Sequence, residues 1–473
     1  MPLGGTLRVG LSGPIGSLDP VAADANPLVV GQIFEGLVAR GPNGVVPALA
    51  TKWSVGPDGM TWTFTLRSGV TFHDGTPLDA AAVVTALLSA PRPFLMNVGS
   101  GPDPLSLLLV TGAPDGRFLS ALATPTFAIA SPASPTSGTG PFRVTPALRG
   151  PVGAQPVVLE RNDRYWRPDA SGQKLPYLDS VSFTSIPDAA ARLAAIRAGT
   201  VDFIQDLAIS DVGAIRTDPS LELVPRPHTT VLYLGLNLSQ PPLDDPRVRQ
   251  AIAQSLNPRG LVDRLYGGIA DPASQLPPPA MLGFDDSVIE FAKADVAAAK
   301  KLLADSGHPS LAIDLWYVLG GTVTVPDMRR VAEAVAADLA AAGINAEPKT
   351  IDPVTFADAV RENRYPMWIG LTATTLFDPD EILGAAFIPP AVNGQDQPTA
   401  AGGWVNREVA GLLRKAQIEP DQSKRSELYK QVSKIVQREI PRIPLAWSGP
   451  PAAATKKVLS PQGALFAEVG LGK

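Results

Sequence analysis

The chain of 473 residues contains no cysteine. That absence excludes disulfides, thiolate-bound zinc, iron–sulfur clusters and a thiol nucleophile, and it leaves the redox compartment open. Histidine is nearly as scarce. His73, His228 and His308 are the three in the chain, and they stand far apart with no metal-binding spacing. A metal site built by the protein is not expected. Charged residues make up 18%, below the typical ~25%. The 40 basic and 45 acidic residues leave a formal charge of -5, which gives no basic surface for neutralising phosphates, so no nucleic-acid partner is expected. No stretch approaches 18 consecutive apolar residues, and no membrane-spanning helix is expected.

Motifs of catalysis are missing as well. The chain has no Gly-x-x-x-x-Gly-Lys-Ser/Thr, no Gly-x-Gly-x-x-Gly and no Gly-x-Ser-x-Gly, so phosphate loops, dinucleotide turns and nucleophile elbows lack support. No cofactor is expected. Gly138-Thr139-Gly140-Pro141 reads as a tight turn entering a strand at Phe142. The paired carboxylates Asp244 with Asp245 and Asp378 with Asp380 stand beside prolines, where turn and helix-cap roles suit them better than acid–base work. His73, inside Thr71-Phe72-His73-Asp74-Gly75, reads as a turn residue bonding local backbone, and His308 after Gly307 as a residue at a helix end. An enzyme is not the expected function.

What the sequence does contain is a globular pattern. Hydrophobic residues make up 45%, and a length near three times the usual ~150 residues predicts about three domains, each with its own core. The 49 prolines and 43 glycines supply many turns without reaching the ~25–30% of a low-complexity chain. Trp62, Phe64 and Leu66 alternate with Thr61, Thr63 and Thr65, which predicts a half-buried strand, and the turn residues of 55–59 before it predict a hairpin. Residues 105–115 and 132–141 read as connecting segments in a small β-rich domain. Later, Met328, Val331, Val335 and Leu339 predict an amphipathic helix capped by Asp327 and ended by Gly343. A second helix is predicted over about 423–439, stopped by Pro441. Strands are predicted over 312–317 and 442–447, so this part is an α/β lobe.

Several phrases then stand in co-linear order along nearly the whole chain. They include Gly4-Gly5-Thr6-Leu7-Arg8-Val9-Gly10, Ser17-Leu18-Asp19-Pro20, Ile33-Phe34-Glu35-Gly36-Leu37-Val38 and the block from Trp62 to Leu78. Leu159-Glu160-Arg161-Asn162-Asp163-Arg164-Tyr165-Trp166 and Asp244-Asp245-Pro246-Arg247-Val248-Arg249 follow. On these the chain resembles the oligopeptide, dipeptide and nickel-binding type of ABC-transporter solute-binding protein, family 5. The resemblance implies a two-lobed, periplasmic-binding-protein-like α/β fold (type II, cluster C) with a small inserted domain. Lobe one would combine residues 1–44, 138–232 and 447–473, the inserted domain 45–137, and lobe two 233–446. The hinge crossings would lie near Tyr233 and Trp447.

The function implied is extracytoplasmic capture of a small ligand between the lobes, hinge closure, and delivery to the transmembrane permease subunits of an ABC importer. The protein would act as a monomer, outside the cytoplasmic membrane. Met1 directly before a strand-like segment reads as a start left after removal of an export signal, with a lipid anchor possible on the removed segment. A family member that has lost transport and binds a glycan or a protein as a regulator is the alternative reading.

By resemblance, extended peptides add a strand between two edges, here Asp24-Ala25-Asn26 and Leu371-Thr372-Ala373. Thr375 and Phe377 are the next candidates, with Trp368 and Trp404 as aromatic walls. Peptide-binding members carry an Asp where Thr375 stands and a Trp where Thr372 stands, and dipeptide binders carry an Arg near the place of Thr322. Each lost charge-assisted anchor is worth about 1.5–3 kcal/mol. The expected ligand therefore lacks a strongly positive terminus: a blocked peptide, an opine-like or sugar-linked compound, or a metal chelate. Asp378 or Asp24 would be the carboxylates able to change that expectation.

Overall fold

A computed structural model describes residues 3–41, 43–145, 156–289, 294–389, 391–392, 395–396, 402–460 and 466–472. The chain divides into two compact units, residues 1–226 with 451–473, and residues 227–450. The fold is α/β throughout, as the alternation of strand and helix patterns predicts.

The first unit is built on a seven-stranded sheet in the order Leu221–Val224, Ala452–Thr455, Phe203–Ile204, Thr6–Leu11, Ser180–Ser185, Val157–Arg161, Phe142–Val144. The strand Thr6–Leu11 runs parallel to both of its neighbours. Its Leu7, Val9 and Leu11 are fully buried, as the period-2 alternation of a sheet core requires. Arg8 in the same strand pairs with the buried Asp202, which also pairs with Lys457, so this buried carboxylate meets two cations.

A separate four-stranded antiparallel sheet, Ala50–Val55, Thr61–Leu66, Ser106–Thr111, Leu95–Ser100, lies in the same unit. The predicted hairpin is its first pair, with Trp62, Phe64 and Leu66 inward. Residues 105–115 do more than connect. Leu107 and Leu109 are fully buried in a strand between Thr61–Leu66 and Leu95–Ser100, because an apolar run supplies a core face whatever turn residues flank it. The helix Ala80–Leu88, capped by Asp79, covers this sheet.

The second unit holds a six-stranded sheet in the order Ala270–Pro272, Arg442–Ser448, Thr230–Leu236, Met367–Ala373, Leu311–Val318, Ile344–Ile351. Leu311–Val318 is parallel to both neighbours, and the other pairs are antiparallel. The helix Met328–Ala341 starts where Asp327 accepts the Arg329 N–H, and Gly343 leaves it at a φ of 93°. The helix Gln422–Glu439 ends at Ile440 in the left-handed region, one residue before Pro441.

The two residues near which the crossings are expected lie in strands of the second unit. Tyr233 pairs with Gly370 and Pro444, and Trp447 pairs with Val231, so both lie inside the second unit's sheet. The two units part at 226/227 and 450/451, beside Pro227, Pro450 and Pro451, just outside the laddered residues.

Candidate ligand-binding site

In the first unit the chain leaving the central strand at Ser12 turns through Gly16–Asp24 before the helix Pro27–Ile33. These turns line a cleft of about 870 Å³ together with His73, Asp74, Ser134–Ser137 and Arg143. Asp24 is exposed on it. The segment Asp24-Ala25-Asn26 is not a strand. The Asn26 side chain caps the helix by accepting the Leu28 N–H at 3.1 Å and donates to the Pro14 carbonyl, and Ala25 packs on the core. A cap residue with extended φ, followed by Pro27 at the first helical position, explains why this edge is a helix start.

His73 reaches much farther than its own turn. Its Nε2–H donates to the Gly140 carbonyl at 3.0 Å and its Nδ1 accepts the Gly138 N–H at 3.2 Å. The local reading of His73 is thus replaced by a clamp on the turn that enters the strand Phe142–Val144. Burial pushes its imidazole down to about 4, against the backbone bond to Gly140, with Arg143 and Arg164 adding to the decrease. A second clamp sits nearby. The half-buried Glu35 accepts from Thr139 Oγ1, Tyr165 Oη and Trp166 Nε1 at 2.9 to 3.0 Å, and burial raises its pKa despite those donors.

In the second unit the strands Leu311–Val318 and Met367–Ala373 run parallel, so the loops after them emerge side by side. Loops at the carboxyl ends of parallel strands are where α/β sheets bind ligands. The first loop carries Leu319, Thr322, Val323 and Thr324, while Leu371 and Ala373 are exposed at the end of the second strand and Thr375 just after it. Thr230 Oγ1 donates to Thr324 Oγ1 at 3.2 Å, and Thr324 shares a hydrogen bond of 3.0 Å with Thr322, which tethers the first loop to the sheet. Pairing of Met367–Ala373 with Leu311–Val318 covers only Met367 and Trp368, whereas the antiparallel ladder to Thr230–Leu236 covers the whole strand. Leu371–Ala373 is therefore laddered along one edge among the described residues.

The four aromatic and charged candidates that follow are placed differently. Trp368 is buried between Gly235 and Gly402, and Phe377 and Trp404 belong to the core under the helices. Trp404 meets Phe387 edge to face and donates its indole N–H to Glu439 at 2.8 Å. The rings expected as aromatic walls, Trp368 and Trp404, are buried in this structure, as is Phe377. Asp378 is fully buried in a two-point pair with Arg425, at 2.6 and 2.7 Å, while Arg425 also donates to the Ala416 carbonyl and to Tyr429. It also caps the turn by accepting the Asp380 N–H, and it presents no carboxylate to a ligand.

Sequence reasoning missed Glu381. Its carboxylate folds back on the loop and accepts from the Thr374 hydroxyl, the Thr375 hydroxyl (2.6 Å), the Thr375 N–H (3.0 Å) and the Leu376 N–H (2.9 Å). The wall expected to be uncharged at Thr375 carries this anion. The signal was present: a Glu six residues after a Thr-Thr pair, across a turn at Asp378-Pro379, can reach back to the loop's donors.

The comparisons with known proteins decide the family. Residues 44–393 match the family model for the middle region of bacterial extracellular solute-binding proteins, family 5. The chain belongs to this family. Among curated relatives, the dipeptide-binding protein of Escherichia coli is 28% identical over 442 residues, covering 86% of this chain and 82% of its own. Heme-binding protein A of Haemophilus influenzae is 26% identical over 459 residues, covering 88% and 82%. Among solved structures, HbpA2 from Haemophilus parasuis superposes with a TM-score of 0.81 at 26% identity over 99% of this chain and 100% of its own. An ABC transporter substrate-binding protein from Sinorhizobium meliloti gives 0.83 at 23% identity, covering 99% and 100%.

Membership gives the architecture its meaning. Family 5 is a family of binding proteins, and this solute-binding protein has the two-lobed α/β fold of its structural neighbours. No helix among the described residues is long and apolar enough to cross a membrane.

Proposed function

We propose that this family 5 protein captures a peptide-like or other small polar ligand outside the cytoplasmic membrane and delivers it to the permease of an ABC importer. The observation that carries the ligand class is the strand end Leu371–Ala373. It has one laddered edge and lies at the carboxyl end of the sheet with exposed Leu371, Ala373 and Thr375, so an extended backbone can add to it. The cleft beside Asp24 in the first unit supplies a polar surface whose volume suits a ligand of several residues. Relatives named for dipeptides, glutathione and heme support a small organic ligand.

In this reading residues 45–137 form an inserted domain, and the two units, joined at 226/227 and 450/451, close on the ligand. The protein works as a monomer. A lipid anchor would keep it near the permease, and fractionation of cells expressing the native gene tests that point.

Native mass spectrometry of the purified protein is the direct test. A co-purified small molecule of defined mass, released by unfolding and rebound with micromolar or tighter affinity, is the expected result. Consistent turnover of ester, peptide or glycoside substrates, with no ligand retained, would overturn the reading.

A further inference from the structure

One wall of the cleft in the first unit is the segment Ser134–Ser137, which runs directly into the turn Gly138–Gly140. His73, itself on the cleft, holds that turn at two points: its Nε2–H donates to the Gly140 carbonyl at 3.0 Å, and its Nδ1 accepts the Gly138 N–H at 3.2 Å. The neighbouring backbone adds to the grip, since the His73 N–H donates to the Gly138 carbonyl at 2.9 Å and the Asp74 N–H to Ser137 Oγ at 3.1 Å. The ring is donor and acceptor at once, which only neutral imidazole can be.

Behind the turn there is no room to yield. A Cβ added at Gly138 would collide with the Ile33 carbonyl oxygen at the end of the helix Pro27–Ile33, and the Gly140 N–H donates to that same oxygen at 2.9 Å. Thr139 between them is held by Glu35. A proton on His73 Nδ1 would set two N–H groups against each other across a 3.2 Å contact, and with the helix behind the turn, ring and turn part on the cleft side. The charged groups around the ring are Arg143 from the strand Phe142–Val144, Asp74 beside it, and Arg164, which donates to the His73 carbonyl. Burial opposes the proton most and the bond to Gly140 favours it, while Arg143 and Arg164 oppose it and Asp74 favours it, so the ring titrates at about 4.

Resting on the reading of this cleft as a ligand surface, we propose that neutral His73 holds the wall Ser134–Ser137 in its binding shape and releases it on protonation, so that through this side chain the cleft lets go of its ligand in acid. His73 is a positioning residue: it acts through the turn it pins.

Hydrogen exchange of the full protein, divided by the intrinsic rate at each pH, reads the wall without any ligand. Peptides covering 131–140 should lose about fourfold in protection between pH 6 and pH 3.5, because a group titrating at about 4 is neutral in about one molecule in four at the lower pH. Peptides covering the strand Thr230–Leu236 of the other unit should keep theirs. His73→Gln supplies one amide donor and one carbonyl acceptor, so its 131–140 peptides should show no such loss, whereas His73→Leu should be poorly protected there at both pH values. In native mass spectrometry over the same range, retention of a mixture of free tripeptides should fall with the exchange in the wild type and stay level with pH in His73→Gln. An equal loss of protection in wild type and His73→Gln, or no loss in the wild type, overturns the proposal whatever binds. Exchange as expected, with tripeptide retention that does not follow it, overturns the release step and the reading of this cleft as the ligand surface. A wild type that retains no tripeptide at pH 6 overturns the peptide-like reading, and the exchange of 131–140 then decides the pin by itself.

Discussion

At the scale of single residues, the buried pair Asp378–Arg425 is the most exposed to test. Both side chains are essentially without solvent contact, and every nitrogen of the guanidinium is bonded, to Asp378, to Tyr429 or to the Ala416 carbonyl. Removing one partner leaves an uncompensated buried charge, so Arg425→Met should lose about 3–5 kcal/mol in urea unfolding. The double variant Asp378→Asn with Arg425→Met should recover part of that loss, since the stranded charge is gone. The two partners lie 47 positions apart in the chain, and only folding joins them.

His73 gives a pH signature at the same scale. The folded imidazole titrates at about 4, against about 6.5 for an unfolded histidine. Between those values the unfolded chain binds the extra proton, so stability rises with pH through the window and falls as pH drops toward 4. The full difference is about 3 kcal/mol at most. His73→Gln should flatten this dependence: urea midpoints at pH 4.5 and 7 should differ less in the variant than in the wild type. An equal difference would mean that other groups carry it.

Elements were the most legible level. The helices Met328–Ala341 and Gln422–Glu439 follow from apolar spacing with Asp, Gly and Pro at their ends, and the strand Thr61–Leu66 follows from strict alternation. Asn26, placed by resemblance in a ligand edge, is the cap of the helix Pro27–Ile33. What alternation cannot reveal is how closely two strands must lie. An added Cβ on Gly235 would meet the Trp368 ring at 2.2 Å, and one on Gly370 would meet the Tyr233 ring at 2.5 Å. The two glycines accept the aromatic rings of adjacent strands. Gly235→Ala should therefore destabilise by at least about 1–3 kcal/mol, the range for overpacking. A Gly235→Ala protein as stable as the wild type in thermal and urea unfolding would show that the ring moves aside freely.

For the whole molecule, the proposed closure would turn about the division at 226/227 and 450/451. Small-angle scattering should give a smaller radius of gyration for the protein saturated with its co-purified ligand than for the stripped protein. Unchanged scattering at saturation would count against closure.

The sequence by itself determined the family, the α/β class, the principal helices and strands and the absence of known catalytic motifs, because these depend on local periodicity, end signals and an ordered series of phrases. Tertiary structure decided the rest. Whether Trp368, Phe377 and Trp404 are exposed or buried depends on what packs over them: Phe377 and Trp404 join the core of the second unit, and Trp368 lies against Gly235 and Gly402. Whether position 375 is neutral depends on a side chain six residues on, folded back across a turn. Charge and burial are properties of what surrounds a residue, and a linear order of residues does not carry its surroundings.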